Sequence, residues 1–255
     1  MLMALKVGEN MALSSISIEI VNNPYKGCIE IKTEQATSEL GEIEYLIISR
    51  KSDNDSEDID RILEKKIESL DDLNYIYRDL SSICGVTYTY FVELTDGIEV
   101  GYSILESDTF SGIECVFDGI FVGDENKQYM AILNCSTSIV RNTQQNYVTT
   151  LLGRTPYKVS NANVNYTTGQ SSGLFVRFDE YNKPIAEMSN SYRIEVIDFL
   201  TDGNDKILKT SNGDVWLVSI DSNVDLNFDD NYSGYNLISF SWTEIGDVPL
   251  LRTVS

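Results

Sequence analysis

The stretch from Gly85 to Gly97, Gly-Val-Thr-Tyr-Thr-Tyr-Phe-Val-Glu-Leu-Thr-Asp-Gly, constrains the fold of this chain most. Val86, Tyr88, Tyr90, Val92 and Leu94 alternate with Thr87, Thr89, Phe91, Glu93 and Thr95. Successive side chains on a strand point to opposite faces, so this period of two predicts a strand lying between two layers. Tyr, Thr and Val also suit a pleated, half-buried surface. A β fold built in layers is the expectation.

The rest of the chain repeats the pattern. Ile16, Ile18 and Ile20 alternate in a first strand over 14–20, and Asn22-Asn23-Pro24 forms a turn. Strands are expected at 28–32 and 43–49, followed by a charged loop over 50–60. Ile59, Ile62, Leu63, Ile67 and Leu70 fit helical spacing, yet a sandwich needs a strand there and another near 75–77, so both readings stay open. Asp96-Gly97 reads as a tight hairpin turn into a strand over 98–106. A boundary is expected at 107–112. Beyond it, strands are expected at 113–122, 127–133, 147–152, 164–168 and 174–178. A short helix over 192–200 has Ser189 or Asn190 as its cap and Asp202-Gly203 as its stop. A hairpin at 206–220 turns on Asn212-Gly213, and a last strand runs over 237–245 with Ile238, Phe240 and Trp242 on one face. The whole reads as all-β with a minor α element: an N-terminal arm over 1–13, a β-sandwich over 14–108 and a β-rich sandwich or barrel-like domain over 109–255. The arm is read as a flexible start, with Met11 as an alternative natural initiator.

Composition removes whole classes of chemistry. The sequence contains no histidine, so triads and zinc sites that depend on it are excluded. Forty acidic against nineteen basic residues give a net charge of −21, which repels phosphate backbones. No nucleic-acid partner is expected. The acidic residues read as spread along the chain, apart from clusters at 53–60 and 221–230. No stretch is apolar enough to span a membrane, and the opening residues, which lack a basic start before a long apolar run, are not expected to act as a signal peptide. Cys28, Cys84, Cys115 and Cys135 form no Cys-x-x-Cys pair, and four free thiols are expected. Fifteen tyrosines supply apolar bodies with polar tips for strands and interfaces.

Residues 14–108 resemble a fibronectin type III module. The resemblance rests on Tyr45-Leu46-Ile47-Ile48-Ser49-Arg50-Lys51, on the Asp79-Leu80 turn into Gly85, and on Tyr88-Thr89-Tyr90-Phe91-Val92. The tryptophan usual in that family's second strand is missing, since the tryptophans are Trp216 and Trp242. Tyr88, three residues after Gly85, suits a tyrosine corner whose hydroxyl bonds back to nearby backbone.

The remainder resembles structural proteins of bacteriophage tails and baseplates, in which such a module precedes a β-rich assembly domain. The matching segments are 117–124 (Phe-Asp-Gly-Ile-Phe-Val-Gly-Asp), 150–157 (Thr-Leu-Leu-Gly-Arg-Thr-Pro-Tyr) and 172–174 (Ser-Gly-Leu). Further matches lie at 198–203 (Asp-Phe-Leu-Thr-Asp-Gly), 214–218 (Asp-Val-Trp-Leu-Val) and 239–242 (Ser-Phe-Ser-Trp). The resemblance implies a non-enzymatic virion component that partners other tail or baseplate proteins, in a homo-oligomeric ring around the tail axis. It also implies assembly in a host cytoplasm, without membrane or cofactor. A secreted or surface-displayed glycan-binding adhesin is the alternative, and a carboxylate hydrolase is the weakest reading.

No catalytic, cofactor or metal residue is assigned. Asp53-Asn54-Asp55-Ser56-Glu57 has acidic spacing like a calcium loop, but Asp58 stands where the loop glycine belongs, and a solvated loop is favoured. Asp221, Asn223, Asp225, Asn227 and Asp229 put oxygens at alternate positions, the stronger of the two candidates for surface calcium, with a solvated face still favoured. Gly119 and Gly123 lack the Gly-Lys-Ser/Thr ending of a phosphate loop and read as turn and strand punctuation. Trp216 and Trp242 could stack on sugar, but alternating apolar neighbours favour the core.

Overall fold

The computed structural model describes residues 13–53, 58–97, 103–148, 155–175, 177, 190–228, 236–248 and 252–254. These form fourteen strands, one α-helix and one 3-10 turn. The fold is all-β with a minor helical element. The chain divides into two compact units: Met1–Met130 with Lys209–Val215 and Val248–Ser255, and Ala131–Leu208 with Trp216–Asp247.

In the first unit, β1 (Ile16–Asn23), β2 (Cys28–Gln35) and β5 (Tyr75–Asp79) form a three-stranded antiparallel sheet in the order β1-β2-β5. The facing sheet contains β3 (Tyr45–Ser52), β4 (Asp60–Lys66), β6 (Thr87–Thr95), β7 (Ile104–Glu114) and β14 (Arg252–Val254) in the order β14-β4-β3-β6-β7. Ile16, Ile29, Ile31, Leu46, Ile48, Tyr90, Val92 and Leu94 are buried in its core. Every second residue of β6 from Tyr88 to Leu94 is buried, as its alternation predicts. The Tyr77 hydroxyl donates to Ile62 O at 3.0 Å, joining the two sheets.

A second architecture is a closed barrel in the order β10-β13-β12-β11-β8-β9. Its strands are β8 (Ile120–Gly123), β9 (Gln128–Val148), β10 (Tyr157–Phe175), β11 (Lys206–Thr210), β12 (Val215–Phe228) and β13 (Asn236–Gly246). The helix α1 (Asn190–Leu200) precedes β11. Within the second unit, Leu174, Phe175, Val196, Phe199, Ile238, Phe240 and Trp242 are buried. Gly169 lies opposite Trp242 across the β10–β13 ladder. A Cβ there would sit 2.5 Å from the indole Cζ2, so glycine makes room for the ring.

Several expectations are corrected. The open segment at 59–70 is a strand over Asp60–Lys66, not a helix, followed by the 3-10 turn Leu70–Leu73. Ile62 and Leu63 are consecutive and both fully buried. With both faces covered, the period-two signal disappears and the leftover spacing imitates a helix. The hairpin at Asp96-Gly97 is not tight, because Thr95 pairs with Ile104 and Asp96 N donates to Ser103 O at 3.3 Å. The expected strand over 98–106 begins at Ile104, with 98–102 outside the described residues. The expected strand over 127–133 and the start of that over 147–152 belong to one 21-residue strand, Gln128–Val148, with 149–152 outside the described residues. Likewise 164–168 and 174–175 belong to the 19-residue β10. Strand β14, parallel to β4, was not anticipated.

Candidate functional site

Three clusters of chemically capable side chains are distinguished by what surrounds them. The first lies between the sheets of the first unit. Arg50 on β3 pairs in register with Tyr90 on β6, which puts both on one face. Asp79, at the end of β5, meets them there and is 0% exposed. Its Oδ2 accepts from Arg50 Nη1 at 2.5 Å and Tyr90 OH at 2.7 Å; its Oδ1 accepts from Ser81 N at 3.2 Å and Ser81 Oγ at 2.8 Å. Four bonds satisfy the carboxylate. Burial alone would raise its pKa, but the adjacent Arg50 guanidinium and the hydrogen bonds hold it below the usual carboxylate range. Arg50 also lies over the Tyr88 ring, 4.9 Å from its centroid. The Tyr88 hydroxyl accepts from the Ile83 N–H at 2.9 Å, the backward bond expected of a corner tyrosine. This cluster is sealed, paired and structural.

The second cluster surrounds Lys209, fully buried in the same unit. Its ammonium donates to Gly27 O at 2.5 Å and to Ser82 Oγ at 3.3 Å, with Phe117 and Phe121 ring centroids at 5.4 and 5.5 Å. Burial pushes its pKa down. Ser82 Oγ lies 3.4 Å from Cys115 Sγ. Burial raises the Cys115 thiol and pushes Cys28 up to about 12, so both are protonated at neutral pH and poor nucleophiles. All four cysteines are free. Nucleophile and amine are present here, but both are enclosed.

The third place is the β9–β10 ribbon in the second unit. Registers run from Ser136↔Ser172 through Arg141↔Thr167 to Val148↔Tyr157, stepping from Thr143↔Asn165 to Gln144↔Asn161. Strand β10 pairs with β13 only from Thr168↔Thr243 to Gly173↔Ile238. Small polar side chains tie the ribbon together: Arg141 Nε donates to Asn165 Oδ1 at 2.8 Å, and Asn142 Nδ2 to Thr168 Oγ1 at 2.9 Å. Ile139 and Val140 are 46% and 56% exposed. As neighbours on a strand they point to opposite faces, so the ribbon shows aliphatic surface on both sides.

Residues considered from sequence fall as follows. Of 53–57, all but Asp53 lie outside the described residues, as does Asp229. Asp221, Asn223, Asp225 and Asn227 lie on β12, a strand rather than a loop. Among the described residues no group of three or more His, Cys, Asp or Glu is placed to hold a metal ion. Trp242 is fully buried, donates its N–H to Ser171 Oγ at 3.0 Å and packs on Trp216 at 4.9 Å between centroids, the core role. Gly119 (φ 95°) ends a turn and Gly123 ends β8, as punctuation. No helix among the described residues is long and apolar enough to cross a membrane.

The ribbon carried a signal that strand reading overlooked. Contrary to an even spread of acids, no Asp or Glu occurs from Asn126 to Phe178, while Lys127, Arg141, Arg154, Lys158 and Arg177 do. This segment is basic within a chain of net charge −21.

No family model and no curated protein matches the chain. Among solved structures, a chain from the virion of a native gene transfer agent particle is similar over 50% of this chain and 92% of its own length, at 14% identity and a TM-score of 0.33. At that level the likeness does not establish a common fold.

Proposed function

We propose that this protein is a non-enzymatic structural component of a bacteriophage or phage-like particle, in its tail, tail tip or baseplate. The observation that carries the reading is where its chemistry lies. Asp79, Arg50, Lys209, Cys28 and Cys115 are all buried and serve packing. The β9–β10 ribbon instead offers aliphatic side chains and small polar groups, the material of protein contacts. The fibronectin-like reading of the first module is supported by seven strands in two sheets, β1-β2-β5 against β4-β3-β6-β7, and by the Tyr88–Ile83 bond.

In this reading the chain folds in a host cytoplasm, joins other tail proteins and forms a ring. The division into 14–108 and 109–255 remains part of the proposal, with assembly contacts in the second part. The glycan-binding alternative loses its best residue, since Trp242 presents no face to a sugar. The test is particle association. The chain should co-sediment in fixed stoichiometry with purified particles, and disrupting its gene should yield particles with incomplete tails. Intact infectious particles without it, or a specific hit on a glycan array, would overturn the proposal.

A further inference from the structure

We infer that the β9–β10 ribbon is a docking arm by which one copy of this chain binds the acidic surface of a second copy. The inference deepens the assembly reading and rests on it only in assuming that the chain works through protein contacts. Three independent observations converge on the ribbon.

The first is charge. Copies with net charge −21 repel one another, and association needs a surface from which negative charge has been removed. The ribbon is such a surface: its two strands carry the exposed cations Arg141 and Lys158 and no Asp or Glu. The 202 residues outside 126–178 hold all forty acids and fourteen bases, so the surface complementary to the arm is supplied by the same protein. Arg141 and Lys158 are placed on opposite strands of the ribbon.

The second observation is exposure on both faces. Leu133, Ile139, Val140 and Val148 on β9 are each about half exposed, as is Tyr166 on β10 at 39%. A ribbon meant to remain in water would keep such side chains on one face. The third is ladder support. Thr167 N still donates to Glu244 on β13 at 2.6 Å, but from Asn142↔Tyr166 to Val148↔Tyr157 β10 has no β13 partner in the described register. Two strands alone are marginal in water, and a docked surface supplies the missing cover. A basic arm that binds a different, acidic surface of its neighbour makes a head-to-tail contact, the kind that closes into a ring or continues as a filament.

Sedimentation velocity on the full chain, from micromolar to hundreds of micromolar, tests this. The wild type should self-associate, and more weakly as salt is raised. Val140→Asp should weaken association by at least about tenfold, as should the double reversal Arg141→Glu with Lys158→Glu. The second variant keeps the test decisive if the first misfolds, and circular dichroism should show both folded. Ile59→Asp, at an exposed position of the first unit, should associate like the wild type. A wild type that stays monomeric throughout, or variants that associate normally, would overturn the inference. So would salt-sensitive binding of duplex DNA by the arm without self-association. A monomer that still co-sediments with particles sinks the docking arm and leaves the assembly reading. A ribbon-dependent oligomer absent from particles does the reverse.

Discussion

The sandwich of the first unit and the β9–β10 ribbon of the second use polar residues in opposite ways. In the first unit, ions are drawn inside and satisfied: Asp79, between the sandwich sheets, has four hydrogen bonds, and Lys209 on β11 touches a carbonyl and a hydroxyl between two rings. In the ribbon, Ile139, Val140 and Val148 are exposed, and the two strands carry the cations Arg141 and Lys158 without an acid. Buried ion pairs resist substitution because removing one partner strands the other. An open ribbon is thermodynamically indifferent to most changes at its surface. Stability therefore concentrates in the first region, and freedom to choose a partner in the second.

Breaking the charge cluster should have the largest effect. Asp79→Ala leaves Arg50 and the Tyr90 hydroxyl without their buried acceptor and should cost about 3–5 kcal/mol in chemical denaturation. A loss below about 1 kcal/mol would mean the pair is not sealed as described.

Glu30 comes next. Burial would raise its pKa, but bonds from Lys26, Asn23 and Arg78 outweigh that and hold it at about 2, against an ordinary 4.5. Its contribution is whole above pH 4.5 and fades as pH falls towards 2. Glu30→Gln should cost about 1.5–3 kcal/mol at neutral pH and flatten the acid limb of the stability profile. An unchanged acid limb would assign that limb to other carboxylates.

Gly169→Val tests packing in the second unit, where a Cβ would also lie 2.6 Å from Ser138 O. Overpacking there should cost about 1–3 kcal/mol, measured by thermal unfolding. Tyr88→Phe keeps its ring but strands the Ile83 N–H, for about 0.5–1.5 kcal/mol; an unchanged midpoint and slope would remove the corner role. The smallest effect sharpens the contrast. Val140→Thr should leave folding within about 0.5 kcal/mol of the wild type, since that side chain meets solvent in the isolated protein.

Legibility followed the same division. Strand β6 was readable because one face is buried and the other half-covered, which writes alternation into Tyr88, Tyr90, Val92 and Leu94. The joined lengths of β9 and β10 were not, because Ser136-Thr137-Ser138 and Asn165-Tyr166 sit where the ribbon is largely exposed. No apolar rhythm is required there, so none was available to read. The charge cluster was equally hidden. Arg50 looks like a solvent-facing terminus of its strand, and only the fold brings Asp79, 29 residues away, against it. Trp242 was assigned to the core from its apolar neighbours, while the glycine that admits it could be identified only from the ladder register.

The pairing of Arg252–Val254 with Leu63–Lys65 sets a timetable for synthesis. Their separation is 189 residues, from Leu63 to Arg252. At about 5–20 residues per second, the last strand leaves the ribosome roughly 10–40 s after its partner. Lys209, which fastens Gly27 and Ser82 from 182 and 127 positions away, also arrives late. Throughout that interval β4 presents an open edge, the kind of surface on which nascent chains pair with one another. Lys66, exposed at the end of that strand, is placed to discourage such pairing until β14 covers the edge.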